Sequence, residues 1–162
     1  MEGIDTMENQ IATSLFNGSG TWKFEPVPGN KNQLLQGNYY GISVLEKIGS
    51  QWAFKNKIQG FDYSSRYFET GDNLEVYVSH EYKGILKVTP APDFLSVKKF
   101  DILKSPTKGK HISLAKYNGT IYYAGRSGIF SLDAKSGVFK KDNSLSSILK
   151  NDEYISGKLN VD

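Results

Sequence analysis

The 162-residue chain is long enough for one domain with a sizeable core, and its 13% of aromatic residues favours half-buried β-strands. Its formal net charge of +3 is spread along the sequence, which is too weak and too diffuse to predict nucleic-acid binding. The chain has no cysteine and no apolar run of about 18 residues, which excludes disulfides, thiolate metal sites, cysteine nucleophiles and a membrane-spanning helix.

The N-terminal stretch, residues 1–20, is consistent with either a strand or a helical turn, and it ends in the turn signal Asn-Gly-Ser-Gly. It is acidic and has no basic region followed by an apolar core, so we do not expect it to act as a signal peptide. We expect it to form an N-terminal segment or part of a further repeat.

Three consecutive stretches then each predict four short strands, because apolar and aromatic residues alternate with polar ones between turn signals. The strands predicted in the first stretch are Thr21–Val27, Gln33–Gly37, Ile42–Ile48 and Gln51–Ile58. Those in the second stretch are Arg66–Thr70, Leu74–Ser79, Ile85–Thr89 and Leu95–Ile102. Those in the third stretch are His111–Tyr117, Thr120–Ala124, Ile129–Asp133 and Gly137–Lys141.

A Gly-Ile pair recurs at spacings of 43 and 44 residues, as Gly41-Ile42, Gly84-Ile85 and Gly128-Ile129. Four short antiparallel strands in a repeat of this length are the signature of a β-propeller blade. We therefore predict an all-β fold of about three four-stranded antiparallel blades of 43–44 residues, at 21–59, 60–102 and 103–143. Because propellers contain about four to eight blades, we expect an excerpt of a larger ring. Residues 144–162 would then start a further blade, through a short helix, or form a C-terminal segment.

The third strands of the repeats are largely apolar at two successive positions. Ile42, Ile85 and Ile129 come first, and Leu86 and Phe130 follow in two of the three repeats. Successive residues of a strand point to opposite faces, so such a sheet must be covered on both sides. This pattern favours a blade between two neighbours over the alternatives, a two-sheet sandwich or a barrel.

The segments LLQGNYYGISVL, VYVSHEYKGILKV and IYYAGRSGIFSLD resemble the two-component-regulator propeller repeat. The run WAFKNKIQGFDYSSRYFE is similar to the same repeat in Bacteroidetes-type LuxR-like transcriptional regulators and hybrid two-component systems. The resemblance covers about residues 21–143. It implies a periplasmic sensor propeller in a membrane-anchored parent protein, where a triple-tyrosine domain and a helix-turn-helix or kinase output domain follow the blades.

Propeller topology places two kinds of loop at one end of the ring: those between second and third strands, and those entering each innermost strand. Here these loops are rich in tyrosine and cationic residues, which suit sugars or acidic groups because rings cover apolar sugar faces and cations pair with carboxylates. The predicted ligand-binding residues are Tyr39, Tyr40, Arg66, His80, Tyr82, Lys83 and Arg126. The alternative is that these are ordinary turn residues that pack against neighbouring blades.

His80 differs from its apparent equivalents, because a count of four residues back from each repeated glycine aligns it with Gly37 and Ala124. It is either a hydrogen-bonding or pH-sensitive binding group, or a structural histidine beside Glu81 or Tyr82.

Catalytic and metal-binding motifs are weak in this sequence. Its two histidines are 31 residues apart and do not form an H-E-x-x-H motif, and no G-x-S-x-G motif occurs. The stretch Ser131–Phe139 is similar to a sialidase Asp-box, but its glycine falls two places late, so we predict a structural turn there. We therefore predict no enzymatic activity, no cofactor and no metal, with a propeller-fold glycan lyase or hydrolase as the alternative.

The predicted function is a non-catalytic ligand-sensing or interaction module. Its expected partners are a glycan or another small extracytoplasmic ligand, the remaining blades of the parent propeller, and a second copy in a homodimer. We expect no nucleic acid to bind this segment.

Overall fold

The computed structural model describes residues 20–104, 106, 109 and 112–149, which form three four-stranded antiparallel sheets. Blade 1 contains β1 (Thr21–Val27), β2 (Asn30–Asn38), β3 (Gly41–Ile48) and β4 (Gln51–Lys57). Blade 2 contains β5 (Tyr67–Thr70), β6 (Val76–His80), β7 (Gly84–Pro90) and β8 (Val97–Ile102). Blade 3 contains β9 (Ser113–Tyr117), β10 (Thr120–Gly125), β11 (Gly128–Asp133) and β12 (Val138–Lys141), followed by the short helix α1 (Asn143–Ser146).

The predicted all-β architecture of about three propeller-like blades is confirmed, and each predicted strand corresponds to an observed one. The largest shift at a strand start is in β2, which begins at Asn30 rather than Gln33. The preceding turn needs only Pro28 and Gly29, and Gly29 adopts a φ of 77°, which glycine tolerates without a steric penalty. The expectations for residues 1–19 and 150–162, and for His111, fall outside the described residues.

The blades are arranged side by side, with their first strands as neighbours. Each sheet has its strands in chain order, and β5 contacts β1 on one side and β9 on the other. The first strand of each blade is therefore the innermost, as in a propeller. No helix within the described ranges is long and apolar enough to cross a membrane.

Blade 2 is apolar on both faces, as the successive apolar residues of its third strand predict: Leu86 belongs to the core between blades 1 and 2, and Ile85 to the core between blades 2 and 3. On β6, Val76 and Val78 belong to the core between blades 1 and 2, whereas Tyr77 belongs to the core between blades 2 and 3. The first core is completed mainly by Leu35, Ile42, Val44, Ile58, Phe61, Phe68, Leu86 and Val88. The second is completed by Ile85, Ile112, Leu114, Ile121, Tyr123 and Phe139. Burial of apolar surface between sheets is therefore the main force that holds neighbouring blades together.

One backbone hydrogen bond recurs at the same place in every blade. The carbonyls of Ile42, Ile85 and Ile129, each directly after a repeated glycine, accept a hydrogen bond of 2.9 Å from the chain that leaves the outermost strand. The donors are the N–H groups of Ile58, Leu103 and Asp142. We call this contact the linker hydrogen bond. It ties each outgoing segment to the start of the third strand.

All three repeated glycines have a positive φ, and the space around Gly41 also excludes a side chain. Gly41, Gly84 and Gly128 have φ angles of 127°, 88° and 121°, a region that side chains rarely adopt. A Cβ atom on Gly41 would also lie 2.2 Å from the carbonyl oxygen of Phe61 in the segment between blades 1 and 2. The repeat therefore keeps glycine where this outgoing segment crosses the third strand.

Charged groups connect the innermost strands. The Lys23 ammonium lies 2.6 Å from carboxylate oxygens of both Glu25 and Glu69, and it donates to the carbonyl of Phe68 at 3.0 Å. Glu69 is only 3% exposed, and this burial raises the pKa of its carboxyl while Lys23 opposes the shift. On the other side, Lys116 of β9 donates to the carbonyl of Thr70 at 3.0 Å. A lysine from each neighbouring blade therefore holds β5.

The glycine requirement predicts a difference between two alanine substitutions. Gly49 has a φ of 63° with open space around its missing Cβ, so Gly49→Ala should lower the free energy of unfolding by about 1 kcal/mol. Gly41→Ala adds overlap with Phe61 to the backbone strain and should cost at least about 3 kcal/mol. Urea unfolding monitored by tryptophan fluorescence measures both. Equal losses in the two variants would show that the crossing segment moves freely.

The Lys23 contacts predict a strong effect of removing one charge. Lys23→Met leaves Glu69 buried without its cation and should lower the free energy of unfolding by about 3–5 kcal/mol. Adding Glu69→Gln to this variant should recover most of that loss, because a neutral amide is less costly to bury than an unpaired carboxylate. Thermal unfolding of the two variants checks this order. A double variant no more stable than Lys23→Met would contradict the interpretation.

Candidate functional site

Because strands alternate in direction, the turns between second and third strands lie at the same end of the blades as the segments entering the innermost strands. We define the loop face as the turns at residues 39–40, 81–83 and 126–127 together with the linker at residues 58–66, which joins blades 1 and 2. All seven predicted ligand-binding residues lie on this face or directly at its edge.

Asn38 builds the turn that presents two tyrosines. Its side-chain oxygen accepts a hydrogen bond from the Tyr40 N–H at 2.9 Å, and its carbonyl accepts one from the Ser65 N–H at 2.9 Å. The side-chain amide donates to the Ser43 hydroxyl at 3.1 Å. The turn is thereby fixed against the linker, while Tyr39 and Tyr40 remain 50% and 63% exposed.

His80 performs the same task in blade 2. Its Nδ1 accepts a hydrogen bond from the Tyr82 N–H at 3.2 Å, and His80 pairs with Gly84 as Asn38 pairs with Gly41. The gapless alignment of His80 with Gly37 and Ala124 is therefore wrong by one residue, because the turn at 81–83 is one residue longer than the turn at 39–40. His80 is the turn-forming equivalent of Asn38.

The first cluster on the loop face surrounds a guanidinium group. The Arg66 Cζ lies 4.8 Å from the ring centroid of Trp22 and 5.2 Å from that of Tyr67. Trp22 meets Tyr39 edge to face, with ring centroids 4.9 Å apart. We call these four residues the Arg66 stack. They come from β1, the turn at 39–40 and the start of β5, so the stack spans blades 1 and 2.

The second cluster surrounds Tyr63, in the middle of the linker. The Tyr63 ring stacks on Phe100 of β8, with centroids 5.6 Å apart and an interplanar angle of 15°, and it meets His80 edge to face at 5.8 Å. The Lys83 Nζ lies 5.2 Å from the Tyr63 centroid. Tyr82, which is 66% exposed, lies 6.2 Å from His80 between ring centroids. We call these five residues the Tyr63 cluster.

The structure divides the predicted residues between these two clusters. Tyr39 and Arg66 belong to the Arg66 stack, and His80, Tyr82 and Lys83 to the Tyr63 cluster. Tyr40 and Arg126 stand apart, exposed at their turns, and neither has an ion pair or ring contact within the described residues.

Four residues of these clusters were not among the predicted ligand-binding residues: Trp22, Tyr63, Tyr67 and Phe100. A signal was present for Trp22, since a tryptophan at the start of an innermost strand lies at the loop end of the ring. Tyr63 also lies in a loop that enters an innermost strand.

Within the described ranges, no group of three or more His, Asp or Glu side chains is arranged so that it could hold a metal ion. The turn after β11 is structural, as predicted. The Asp133 carboxylate accepts from the N–H groups of Lys135 and Ser136 at 3.0 and 3.1 Å and pairs with Lys140. These bonds, led by Lys140, lower the pKa of Asp133 to about 2.

Comparisons with known proteins returned no matching family model, no matching curated protein and no matching solved structure.

The surroundings of His80 predict how it titrates. Burial lowers the pKa of His80 below its ordinary 6.5, Lys83 lowers it further, and Glu81 opposes the shift. The unfolded chain therefore binds protons more readily, so the stabilising contribution of neutral His80 is full above about pH 6.5 and decreases as the pH falls towards the folded-state pKa. We expect Lys83→Gln to raise the His80 pKa in an NMR titration of the imidazole protons.

Lys98→Gln provides the control for this titration, because Lys98 is an exposed lysine of β8 and is not among the causes of the His80 shift. An unchanged or lower His80 pKa in Lys83→Gln would contradict the assigned role of Lys83.

Proposed function

We propose that this chain is a non-catalytic ligand-recognition module whose loop face binds a small extracytoplasmic ligand, such as a glycan fragment, and releases it unchanged. The observation that carries the proposal is the Arg66 stack, in which an exposed guanidinium lies against two rings and next to the exposed ring of Tyr39. Aromatic faces and cations are the groups that recognise sugar rings and acidic substituents.

The exposed tyrosines support the proposal. Tyr39, Tyr40 and Tyr82 are 50%, 63% and 66% exposed at two turns on either side of the junction between blades 1 and 2. Their turns are fixed by Asn38 and His80, so the rings are presented on a rigid backbone. A rigid aromatic surface loses little conformational entropy on binding, which favours recognition of a small ligand.

The position of the site suggests how binding affects the propeller. Tyr39 belongs to blade 1 and Tyr82 to blade 2, so a ligand that contacts both rings adds a contact across the junction. Such a ligand would bind more tightly when the two blades are packed together, and it would therefore stabilise the junction. In the proposed context, the periplasmic sensor propeller of a membrane-anchored transcriptional regulator, this stabilisation is the signal passed to the remaining blades and to the output domain.

Substitution of the exposed tyrosines on both sides of the junction, Tyr39 and Tyr82, tests the site. We expect Tyr39→Ala combined with Tyr82→Ala to weaken binding of a soluble glycan fragment at least about tenfold, because two stacking surfaces are lost. Tyr117→Ala is the matched control, since Tyr117 is a 52% exposed tyrosine at the turn between β9 and β10, at the opposite end of the blades. Calorimetric titration with a panel of neutral and acidic fragments measures the affinities. A double variant that binds as tightly as the parent chain would contradict the site.

The same titrations address catalysis. If mass spectrometry after prolonged incubation shows shortened fragments, the chain is a glycan-active enzyme and the proposal of a non-catalytic module is wrong.

A further inference from the structure

Four cations in the described ranges lie against aromatic rings: Lys23, Arg66, Lys83 and Lys87. Two of them are neutralised by the protein itself. Lys23 pairs with Glu69 at 2.6 Å, and Lys87 pairs with Glu75 at 2.8 Å. Arg66 and Lys83 differ, because no carboxylate of the described chain lies within ion-pair distance of either cation. Both of these cations are on the loop face.

Both unpaired cations are associated with the linker between blades 1 and 2. Arg66 ends the linker, and Lys83 lies over the ring of Tyr63, three residues before Arg66. Three residues of extended chain span at most about 11 Å, so the Cα atoms of Tyr63 and Arg66 are no farther apart than this. The nearby acids do not neutralise them: Asp62 pairs with Lys57, and Glu81 forms no ion pair with Lys83 in the described structure.

The Arg66 guanidinium is preorganised to bind a carboxylate. Its contacts to Trp22 and Tyr67 are made to ring faces, and its guanidinium donates no hydrogen bond to a protein acceptor within the described residues. A planar guanidinium has five N–H donors in an arrangement that matches the two oxygens of a carboxylate. Since the rings hold the group in place, less side-chain freedom is lost when an anion binds.

Resting on the proposed function, we propose that the loop face takes an acidic saccharide, a short oligomer of uronic acid units. One carboxylate pairs with Arg66 and another with Lys83. The rings of Tyr39 and Tyr82 cover the apolar faces of the sugar units. The site has two cations, each with aromatic rings beside it. A ligand that repeats a carboxylate and an apolar sugar face matches this arrangement, whereas a single inorganic anion does not.

The test uses the 162-residue chain with Trp52→Phe, so that tryptophan fluorescence reports Trp22 alone. The probes are galacturonic acid oligomers of one, two and three units, the same oligomers as methyl esters, and inorganic sulfate. We expect the free-acid dimer and trimer to change the Trp22 fluorescence and to bind more tightly than the monomer. The methyl esters keep the rings but lose the charges, so they should bind at least about tenfold more weakly.

Three variants assign the charges. Arg66→Gln should weaken binding of the trimer at least about tenfold, and Arg66→Lys should restore only part of that loss, because an ammonium cannot bind a carboxylate in the bidentate mode. Lys83→Gln should abolish the advantage of longer oligomers over the monomer. Lys31→Gln is the matched control, since it removes one exposed positive charge from the strand start next to the β1–β2 turn, at the opposite end of blade 1. Thermal unfolding verifies that all variants are folded.

The outcomes separate this inference from the proposed function. Methyl esters that bind as tightly as the acids would overturn the carboxylate pairing while leaving a saccharide site on the loop face. Sulfate that binds as tightly as the trimer would overturn the saccharide. Acidic oligomers that do not bind at all would also overturn the inference, and the fragment panel then decides whether the face binds neutral ligands.

Discussion

The fold depends on the linker hydrogen bond between the chain leaving each outermost strand and the carbonyl that follows each repeated glycine. At Ile42 this bond brings the segment from Ile58 across the start of β3, so closely that a Cβ atom on Gly41 would collide with Phe61. An unpaired backbone group in this buried place would cost as much as a lost hydrogen bond, and only glycine leaves room to avoid it. The path of the chain from one blade to the next is therefore fixed at the start of the third strand.

The candidate site follows from that constraint. The linker that Ile58 anchors carries Tyr63 and Arg66 across the loop face, where each meets residues of another element. Charged side chains have different partners in the buried part of this junction and on its exposed surface. Lys23 of the innermost strand β1 is paired with the buried Glu69, because an unpaired charge there would be costly. Arg66 and Lys83 are exposed, so solvent stabilises their charges without a carboxylate partner among the described residues.

Much of the fold could be predicted from the sequence, and the site only in outline. The covered sheet of blade 2 could be predicted because Ile85 and Leu86, successive residues of its third strand, are both apolar and point to opposite faces. The loop residues Tyr39, Arg66 and Lys83 were predicted to share one end of the blades, because topology assigns these turns to one end of a propeller. The register at His80 was misjudged, because a turn that is longer by one residue leaves no mark in a count from the repeated glycine.

The sequence by itself determined the elements: twelve short strands, their turns, and a repeat whose glycine must adopt a positive φ. These are local properties, since alternation and turn chemistry act over a few neighbouring residues. Only the tertiary structure decided which side chains meet. Trp22 and Arg66 are 44 residues apart in the chain and come together because two innermost strands pack side by side. Which side chains meet across a blade junction depends on how the two sheets are positioned relative to each other. The spacing of residues within either sheet does not specify these contacts.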